Sequence, residues 1–202
     1  DRWVMDFDAL AAAADEGTRL FILCSPHNPT GRIWSRGELE ELAAFCLERD
    51  IVICSDEIHC QLLLQPEAEH LPTACLSPEV AARTITLLAP SKTYNIAGLG
   101  CSLAIIPDPE LRRAFTAARA GIVPGVNLLG YTAALAAYRD GGAWLEELLA
   151  YLRGNAELLR RRVDSMPGLR TWPVEATYLA WIDARETGLE NPAAHFEEHG
   201  VG

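Results

Sequence analysis

Several patterns that mark common protein classes are missing from this sequence. No uninterrupted apolar run is long enough to cross a bilayer. No basic stripe offsets a composition of 28 acidic and 17 basic residues, with a formal net charge of -11. None of the six cysteines belongs to a CxxC pair, and there are no repeats or low-complexity tracts. These absences argue against a membrane-spanning protein, against a nucleic-acid partner and against a repeat architecture.

What remains is an ordinary globular composition, with 202 residues of which 50% are hydrophobic, enough for one sizeable core. Most cysteines lie in apolar runs, so we predict reduced core thiols in a cytoplasmic protein. They are residues 24, 46, 54, 60, 75 and 101. The first residues do not form a signal peptide. Since no initiator methionine precedes Asp1, and the last residues stop where a helix gives way, we expect a fragment.

The first half of the sequence alternates strand and helix signals. Short apolar runs predict four buried strands, at residues 19–24, 51–55, 84–88 and 103–106. Ser35 and Glu38 form a capping-box pattern at the start of a predicted amphipathic helix over 36–49. Residues 61–82, which include Pro66, Pro72 and Pro78, have a less regular pattern and are expected to hold a short helix. Strands separated by crossovers predict an α/β fold, a three-layer α/β/α arrangement around a mainly parallel sheet.

The second half is mostly helical. Helices are predicted at 109–120, 127–139, 142–165 and 191–199, with a strand at 178–183. We divide the chain into a large-domain portion, 1–140, and a connecting helix with the start of a small α+β domain, 141–202.

Each of the first three predicted strands is followed at once by a compact polar motif. The motifs are HNPTG within 25–31, DEIH at 56–59 and SKTYN within 89–95. Ligands of open parallel sheets bind outside the carboxyl ends of the strands, so the three motifs should meet in one crevice. That crevice would hold a lysine, a carboxylate, an imidazole, a carboxamide and hydroxyl groups.

This set of groups is what pyridoxal 5'-phosphate (PLP) requires. A desolvated lysine amine is a nucleophile toward carbonyls, and a buried carboxylate needs a cationic partner. The PLP aldehyde and its protonated ring nitrogen supply these two complements.

HNPTG, DEIH and SKTYNIAGL, in this order, resemble the class I/II aminotransferase family of PLP fold type I. Asn28, Asp56 and Lys92 are separated by 28 and 36 residues, which suits that family. Longer stretches, among them APSKTYNIAGL and TYLAWID, are similar to its C–S β-lyase branch, the cystathionine β-lyase type. The resemblance covers essentially the whole chain and implies that 1–140 is the C-terminal portion of the PLP-binding large domain.

The resemblance also implies roles for individual residues. Lys92 would hold PLP as a Schiff base and, once freed, move the Cα proton of the substrate. Asp56 would pair with the ring nitrogen, and Asn28 would donate to the phenolic oxygen of the cofactor. His59 stands where many relatives have a tyrosine that contacts the same oxygen, and Ser91 is a candidate phosphate contact.

Two positions depart from the family pattern. Many aminotransferases have arginine where this chain has Gly100, and often serine where it has Ala89. Phosphate binding must therefore depend on other segments. In this family a preceding loop and a C-terminal arginine complete the site, and members are usually homodimers that share residues across two sites.

Simpler interpretations exist for each residue. Lys92 alone would be read as a surface lysine, and Asp56 as a helix cap. HNPTG is expected to form a turn as well as a cofactor contact, and His27 is expected to be structural. For His59, cofactor contact and a satisfied core histidine are almost equally supported. Glu57 receives no assignment.

Two further patterns are set aside. Asp56, His59 and Cys60 lack the paired spacing of a zinc site, so no metal is expected. An apolar stripe at helical spacing, Trp144, Leu145, Leu148, Leu149 and Leu152, is interpreted as core or dimer packing.

The preferred function is a C–S β-lyase that cleaves cystathionine or another cysteine S-conjugate to pyruvate, ammonia and a thiol. An aminotransferase would use the same groups on an amino-acid substrate and pass the amino group to a keto acid. A second alternative is that the chain is a catalytically incomplete fragment and not an active enzyme. The resemblance to the lyase branch, rather than any single residue, favours elimination.

Overall fold

The computed structural model describes residues 2–201, and its centre is a four-stranded sheet. The strands are β1 (Leu20–Cys24), β2 (Val52–Asp56), β3 (Thr84–Leu88) and β4 (Leu103–Ile105), in the order β1-β2-β3-β4. β1, β2 and β3 run parallel, as predicted, whereas β4 pairs antiparallel with β3. The connection after β3, residues 89–102, therefore reverses the direction of the chain instead of forming the crossover that a parallel fourth strand would need.

Eight α-helices accompany the sheet within the described residues. They are α1 (Phe7–Ala13), α2 (Arg36–Glu48), α3 (Pro78–Ala82), α4 (Pro90–Thr93), α5 (Pro109–Arg119), α6 (Leu128–Asp140), α7 (Gly142–Asp164) and α8 (Pro192–Glu198). The predicted helices are found within a residue or two of their expected bounds. α1 was not predicted. No helix of residues 2–201 combines the length and the apolar character needed to cross a membrane.

Helix α2 begins at the predicted capping box. The Ser35 hydroxyl accepts from the backbone N–H of Glu38, and the Glu38 carboxylate accepts from the backbone N–H of Ser35 at 2.8 Å. The apolar face of the helix packs on one face of the sheet and forms the main core. Its buried members are Leu23, Trp34, Leu39, Leu42, Ala43, Cys46, Ile51, Ile53 and Val80.

The two faces of the sheet differ because side chains alternate along each strand. We call the face with Leu23, Ile53 and Ser55 the α2-side face, and the opposite face, with Ile22 and Asp56, the Asp56-side face. Ile53 is fully buried, whereas Ile22 is 70% exposed. The described chain therefore covers the α2-side face and leaves the Asp56-side face open over β1.

The segment after α7 differs from its prediction. Instead of one strand over 178–183, the structure has two short antiparallel strands, β5 (Arg170–Thr171) and β6 (Ile182–Asp183). The residues before Tyr178 pair elsewhere, since the Thr177 N–H donates to the Leu62 carbonyl at 2.8 Å. The strand predicted over 178–183 is therefore shortened to Ile182–Asp183, and the residues just before it pair with the segment around Leu62.

The cysteine prediction holds only in part. Cys46 and Cys101 are buried, Cys24, Cys54 and Cys60 are half-buried, and Cys75 is exposed, all six as free thiols. Cys75 lies in a short 3-10 helix in the loose region before α3.

Candidate functional site

The three sequence motifs begin side by side at the carboxyl end of the sheet. The backbone N–H of Ser25 donates to the Asp56 carbonyl, and that of Glu57 donates to the Leu87 carbonyl, both at 2.9 Å. These bonds continue the strand ladder just beyond β1 and β2. The loops therefore leave neighbouring strands at one edge, the expected geometry of a ligand crevice.

The first loop, residues 25–31, is a tight turn closed by its own backbone. His27 N–H donates to the Arg32 carbonyl at 2.7 Å, and Gly31 N–H donates to the His27 carbonyl at 2.8 Å. Gly31 has φ of +71°, and a Cβ there would lie 2.9 Å from Cγ1 of Val174. Only glycine suits both the left-handed backbone and this close approach.

Asn28 is exposed on this loop, where it could reach a ligand. Its backbone N–H donates to the Cys24 sulfur at 3.3 Å, which ties the loop back to the end of β1. The neighbouring His27 uses Nδ1 for a 2.7 Å hydrogen bond with the Thr30 hydroxyl, so its observed contact is internal to the turn.

Asp56 is the last residue of β2 and is half-buried on the Asp56-side face. Its Oδ1 accepts from the Ile58 N–H at 3.3 Å, which uses one of the two carboxylate oxygens. Burial raises the pKa of the nearby Cys24 and Cys54 thiols, and the negative charge of Asp56 adds to both shifts. The strand end therefore presents a carboxylate beside groups that stay neutral.

His59 is buried next to the charged groups of two motifs. Burial lowers the pKa of its imidazole, the Asp56 carboxylate opposes this shift, and the Lys92 ammonium adds to it. Its Nδ1 is buried and has no hydrogen-bond partner within residues 2–201. The ring of Tyr178 packs edge-on against it at 5.9 Å between centroids. His59 is thus buried like a core histidine, but one of its nitrogens is not satisfied.

Lys92 lies in the four-residue helix α4, directly after β3, and is half-buried. Pro90 and Thr93 on either side of it are buried and hold the turn. Tyr94 then packs against Tyr138 and Trp144, at 5.9 and 6.1 Å between ring centroids. The turn that carries the lysine is therefore anchored on the helices α6 and α7.

Ser91 precedes the lysine in the same turn and is half-buried. Gly100, where many relatives have arginine, ends the following 3-10 turn with φ of +59°. Lys92 is the only lysine of the 202 residues, a count that makes it a stronger candidate than its motif alone.

Sequence reasoning missed the role of Glu57. Its side chain is 1% exposed and accepts hydrogen bonds from the Ser55 hydroxyl at 2.8 Å and the Thr73 N–H at 3.1 Å. Its other oxygen lies 2.8 Å from Nε2 of His70. The side chains of neighbouring residues in an extended chain point to opposite faces of a sheet. The adjacent Asp56 and Glu57 of the DEIH motif could therefore have been predicted to have different surroundings.

The residues at this edge suit PLP. One amine, one half-buried carboxylate and one exposed carboxamide come from three adjacent strand ends, and Nδ1 of His59 is a buried polar atom that lacks a protein partner. Buried polar atoms without a partner are uncommon and call for a ligand or water. No cluster of three or more acidic, histidine or cysteine residues within residues 2–201 has the geometry of a metal site.

Comparison with known proteins gives the same family for almost every residue. The profile of the family described as aminotransferase class I and II matches residues 1–201. Cystathionine beta-lyase PatB of Bacillus subtilis is 42% identical over 193 residues, which are 94% of this chain and 49% of that protein.

Solved structures agree. The crystal structure of OvoB superposes with a TM-score of 0.96 at 49% identity, over all of this chain and 53% of that one. Cystalysin from Treponema denticola, whose crystal structure contains a pyridoxal 5'-phosphate cofactor, has a TM-score of 0.90 at 34% identity, over 97% of this chain and 50% of that one. The chain thus spans about half the length of the relatives it matches.

Proposed function

Because the chain belongs to the aminotransferase class I and II family, we propose that it forms the lysine-bearing part of a PLP-dependent C–S β-lyase. The substrates would be cystathionine or other cysteine S-conjugates. The observation that supports this proposal is the position of Asn28, Asp56 and Lys92 at or just beyond the carboxyl ends of three adjacent strands, in a chain that is 42% identical to a cystathionine β-lyase.

When bound, PLP supplies an aldehyde for amines and a protonated ring that accepts the electrons of a deprotonated Cα. Lys92 is the amine of this chain that would bind the aldehyde, and Asp56 would hold the ring-nitrogen proton. Asn28, on the exposed loop, would donate to the phenolic oxygen.

His59 would lie between these groups as a neutral imidazole. Its pKa is lowered by burial, so the ring stays uncharged near neutral pH and can offer one N–H and one lone pair. The unpartnered Nδ1 makes a contact to the cofactor the better supported of its two interpretations. Ser91, one residue before the lysine, would contribute a hydroxyl to the phosphate.

The proton chemistry would centre on Nζ of Lys92. The free amine takes the Cα proton of the substrate, the Cβ–S bond breaks, and the thiolate leaves with the bonding electrons. Hydrolysis of the remaining three-carbon unit gives pyruvate and ammonia. In an aminotransferase the same amine would also move the Cα proton, and the amino group would pass to a keto acid, so the two activities share every residue named above.

The proposal also includes a domain boundary, a homodimeric assembly and a cytoplasmic location. We place the boundary between the large-domain portion and the connecting helix near residue 140. A homodimer is supported by apolar side chains left exposed around α6, including Ile122, Leu128, Leu129 and Leu135. A cytoplasmic location fits six free thiols.

The test compares wild type with Lys92→Ala, each expressed with any residues that its gene encodes on either side. Each protein is mixed with PLP, reduced with borohydride and mapped by mass spectrometry. We expect a covalent cofactor adduct on Lys92 in the wild type, and pyruvate from cystathionine without an added keto acid. Lys92→Ala should lose turnover by at least about 10²-fold. Lys92→Arg is the matched control, because it keeps the positive charge but cannot form the adduct.

Two other outcomes would change the assignment. Pyruvate formation that depends on a keto-acid acceptor would favour the aminotransferase. No adduct in the wild type would mean that this relative has the fold without the chemistry.

A further inference from the structure

A buried polar cluster lies directly behind Asp56, on the α2-side face of the sheet. We call it the Glu57 cluster, and it consists of Ser55, Glu57, His70 and Thr73. Ser55, Glu57 and Thr73 are at most 1% exposed, and the His70 side chain is 8% exposed. The Ser55 and Thr73 hydroxyls also lie 3.0 Å apart, whereas Nδ1 of His70 is buried without a hydrogen-bond partner within residues 2–201.

Both carboxylate oxygens of Glu57 are used within this cluster. Oε1 accepts from the Ser55 hydroxyl and the Thr73 N–H, and Oε2 lies 2.8 Å from Nε2 of His70. A buried carboxylate is costly unless its oxygens are hydrogen-bonded, and here they are. Both oxygens of the Glu57 carboxylate are therefore held by partners within the cluster, which fixes its orientation.

The position of the cluster along the chain links it to Asp56. Successive side chains of an extended chain point to opposite faces, so Ser55 and Glu57 point away from the crevice while Asp56 points toward it. The peptides on both sides of Asp56 belong to residues whose side chains are anchored. The Glu57 N–H is held as well, by the Leu87 carbonyl at 2.9 Å.

We propose that the Glu57 cluster is a positioning device for Asp56. By fixing the residues before and after it, the cluster sets the direction in which the Asp56 carboxylate leaves the strand. Glu57 acts through Asp56 and does not touch the reacting atoms. This inference rests on the proposed function, since Asp56 is the residue assigned to the ring nitrogen of PLP.

A first measurement needs no cofactor. The Ile58 N–H donates to Oδ1 of Asp56 at 3.3 Å, so hydrogen exchange at this amide reports the placement of the carboxylate. In the apoprotein we expect Glu57→Gln, which keeps the shape and removes the charge, to speed exchange at Ile58 more than at the backbone amides of β2. Thr84→Val is the matched control. Thr84 is equally buried on the neighbouring strand, and its hydroxyl donates to the Val80 carbonyl at 2.7 Å.

A second measurement is a double-mutant cycle on PLP affinity, followed by fluorescence titration. We expect Glu57→Gln to weaken binding roughly tenfold, the size expected for hydrogen bonds to a charged group. In an Asp56→Asn background the same substitution should change affinity by less than about twofold, because the residue it positions is no longer an acid.

His70 provides the conservative rescue. In His70→Gln an amide N–H can replace Nε2 as the partner of Glu57, whereas His70→Leu leaves the carboxylate oxygen without it. We expect PLP affinity to be nearly normal in the first variant and to fall as in Glu57→Gln in the second. This pair also keeps the inference testable if Glu57→Gln does not fold.

The outcomes separate the two proposals. Equal effects of Glu57→Gln in both backgrounds, or exchange at Ile58 no faster than in Thr84→Val, would overturn the positioning role while PLP binding by the wild type stands. A wild type that binds no PLP overturns the proposed function and the role toward the cofactor together. In that case the exchange data still decide whether the cluster places Asp56.

Discussion

The two faces of the same sheet differ in burial and in the polar side chains at the end of β2. The α2-side face has Leu23 and Ile53 in the main core and the Glu57 cluster at the end of β2. The Asp56-side face carries Asp56 at that same strand end and leaves Ile22 70% exposed. The alternation of one strand thus places core residues on one face and, on the other, the carboxylate proposed to contact the cofactor.

The largest expected effect concerns the Asp56-side face. Asp56→Asn keeps the shape of the side chain but removes the charge proposed to hold the ring-nitrogen proton. We expect kcat to fall roughly 10²- to 10³-fold, the range found when one preorganised electrostatic contact is lost.

The same variant should leave the free energy of unfolding of the apoprotein within about 0.5 kcal/mol of the wild type, because Asp56 is only half-buried and outside the core. A large loss of stability with normal kcat would reverse the roles assigned to the two faces.

The next effect is on stability and compares matched isoleucines. Ile53→Ala removes a fully buried side chain from the core and should lower the free energy of unfolding by about 2–4 kcal/mol. Ile22→Ala, one strand away on the open face, should change it by about 0.5 kcal/mol or less in the chain as described. Urea unfolding followed by circular dichroism measures both.

If the two substitutions cost the same, Ile22 is covered in the folded protein. Repeating the pair with any residues encoded on either side of the chain would show whether those residues provide the cover.

Much of this division could be predicted from the sequence, and some of it could not. The apolar runs gave β1, β2 and β3 within a residue, and the capping box at Ser35 gave the start of α2, because both signals are local. The antiparallel direction of β4 and the shortening of the strand predicted over 178–183 to Ile182–Asp183 depend on pairing with distant segments, β3 in the first case and β5 in the second. Glu57 was left unassigned because its partner His70 is 13 residues away in a stretch with no motif.

A smaller effect is expected where the first loop meets the later segment. Gly31→Ala adds a Cβ 2.9 Å from Cγ1 of Val174 and 3.0 Å from the carbonyl oxygen of Ala176, at a residue with φ of +71°. We expect a loss of about 1–3 kcal/mol in the free energy of unfolding. Gly37→Ala, with nothing within 4 Å of the added atom, is the control. Because Asn28 lies on the same loop, Gly31→Ala should weaken PLP binding as well, whereas Gly37→Ala should not.

The smallest expected effect is the pH dependence that follows from His59. Burial lowers its pKa in the folded protein below the ordinary value of 6.5, which the unfolded chain keeps. As pH falls through 6.5, the unfolded state takes up the proton first, so the free energy of unfolding declines until the lowered pKa is passed. The contribution of neutral His59 to the free energy of unfolding is fully present above pH 6.5 and is lost on acidification.

His59→Gln should flatten this slope when unfolding is measured by urea titration between about pH 5 and 8. His27 also has a lowered pKa, caused by burial and by the Arg32 charge, so part of the slope should remain until His27→Gln is added. An unchanged slope in His59→Gln would mean that the imidazole is solvated in solution. The His59 ring would then be exposed to solvent, as Ile22 is on the Asp56-side face. Its Nδ1 would no longer be a buried atom that supports a cofactor contact.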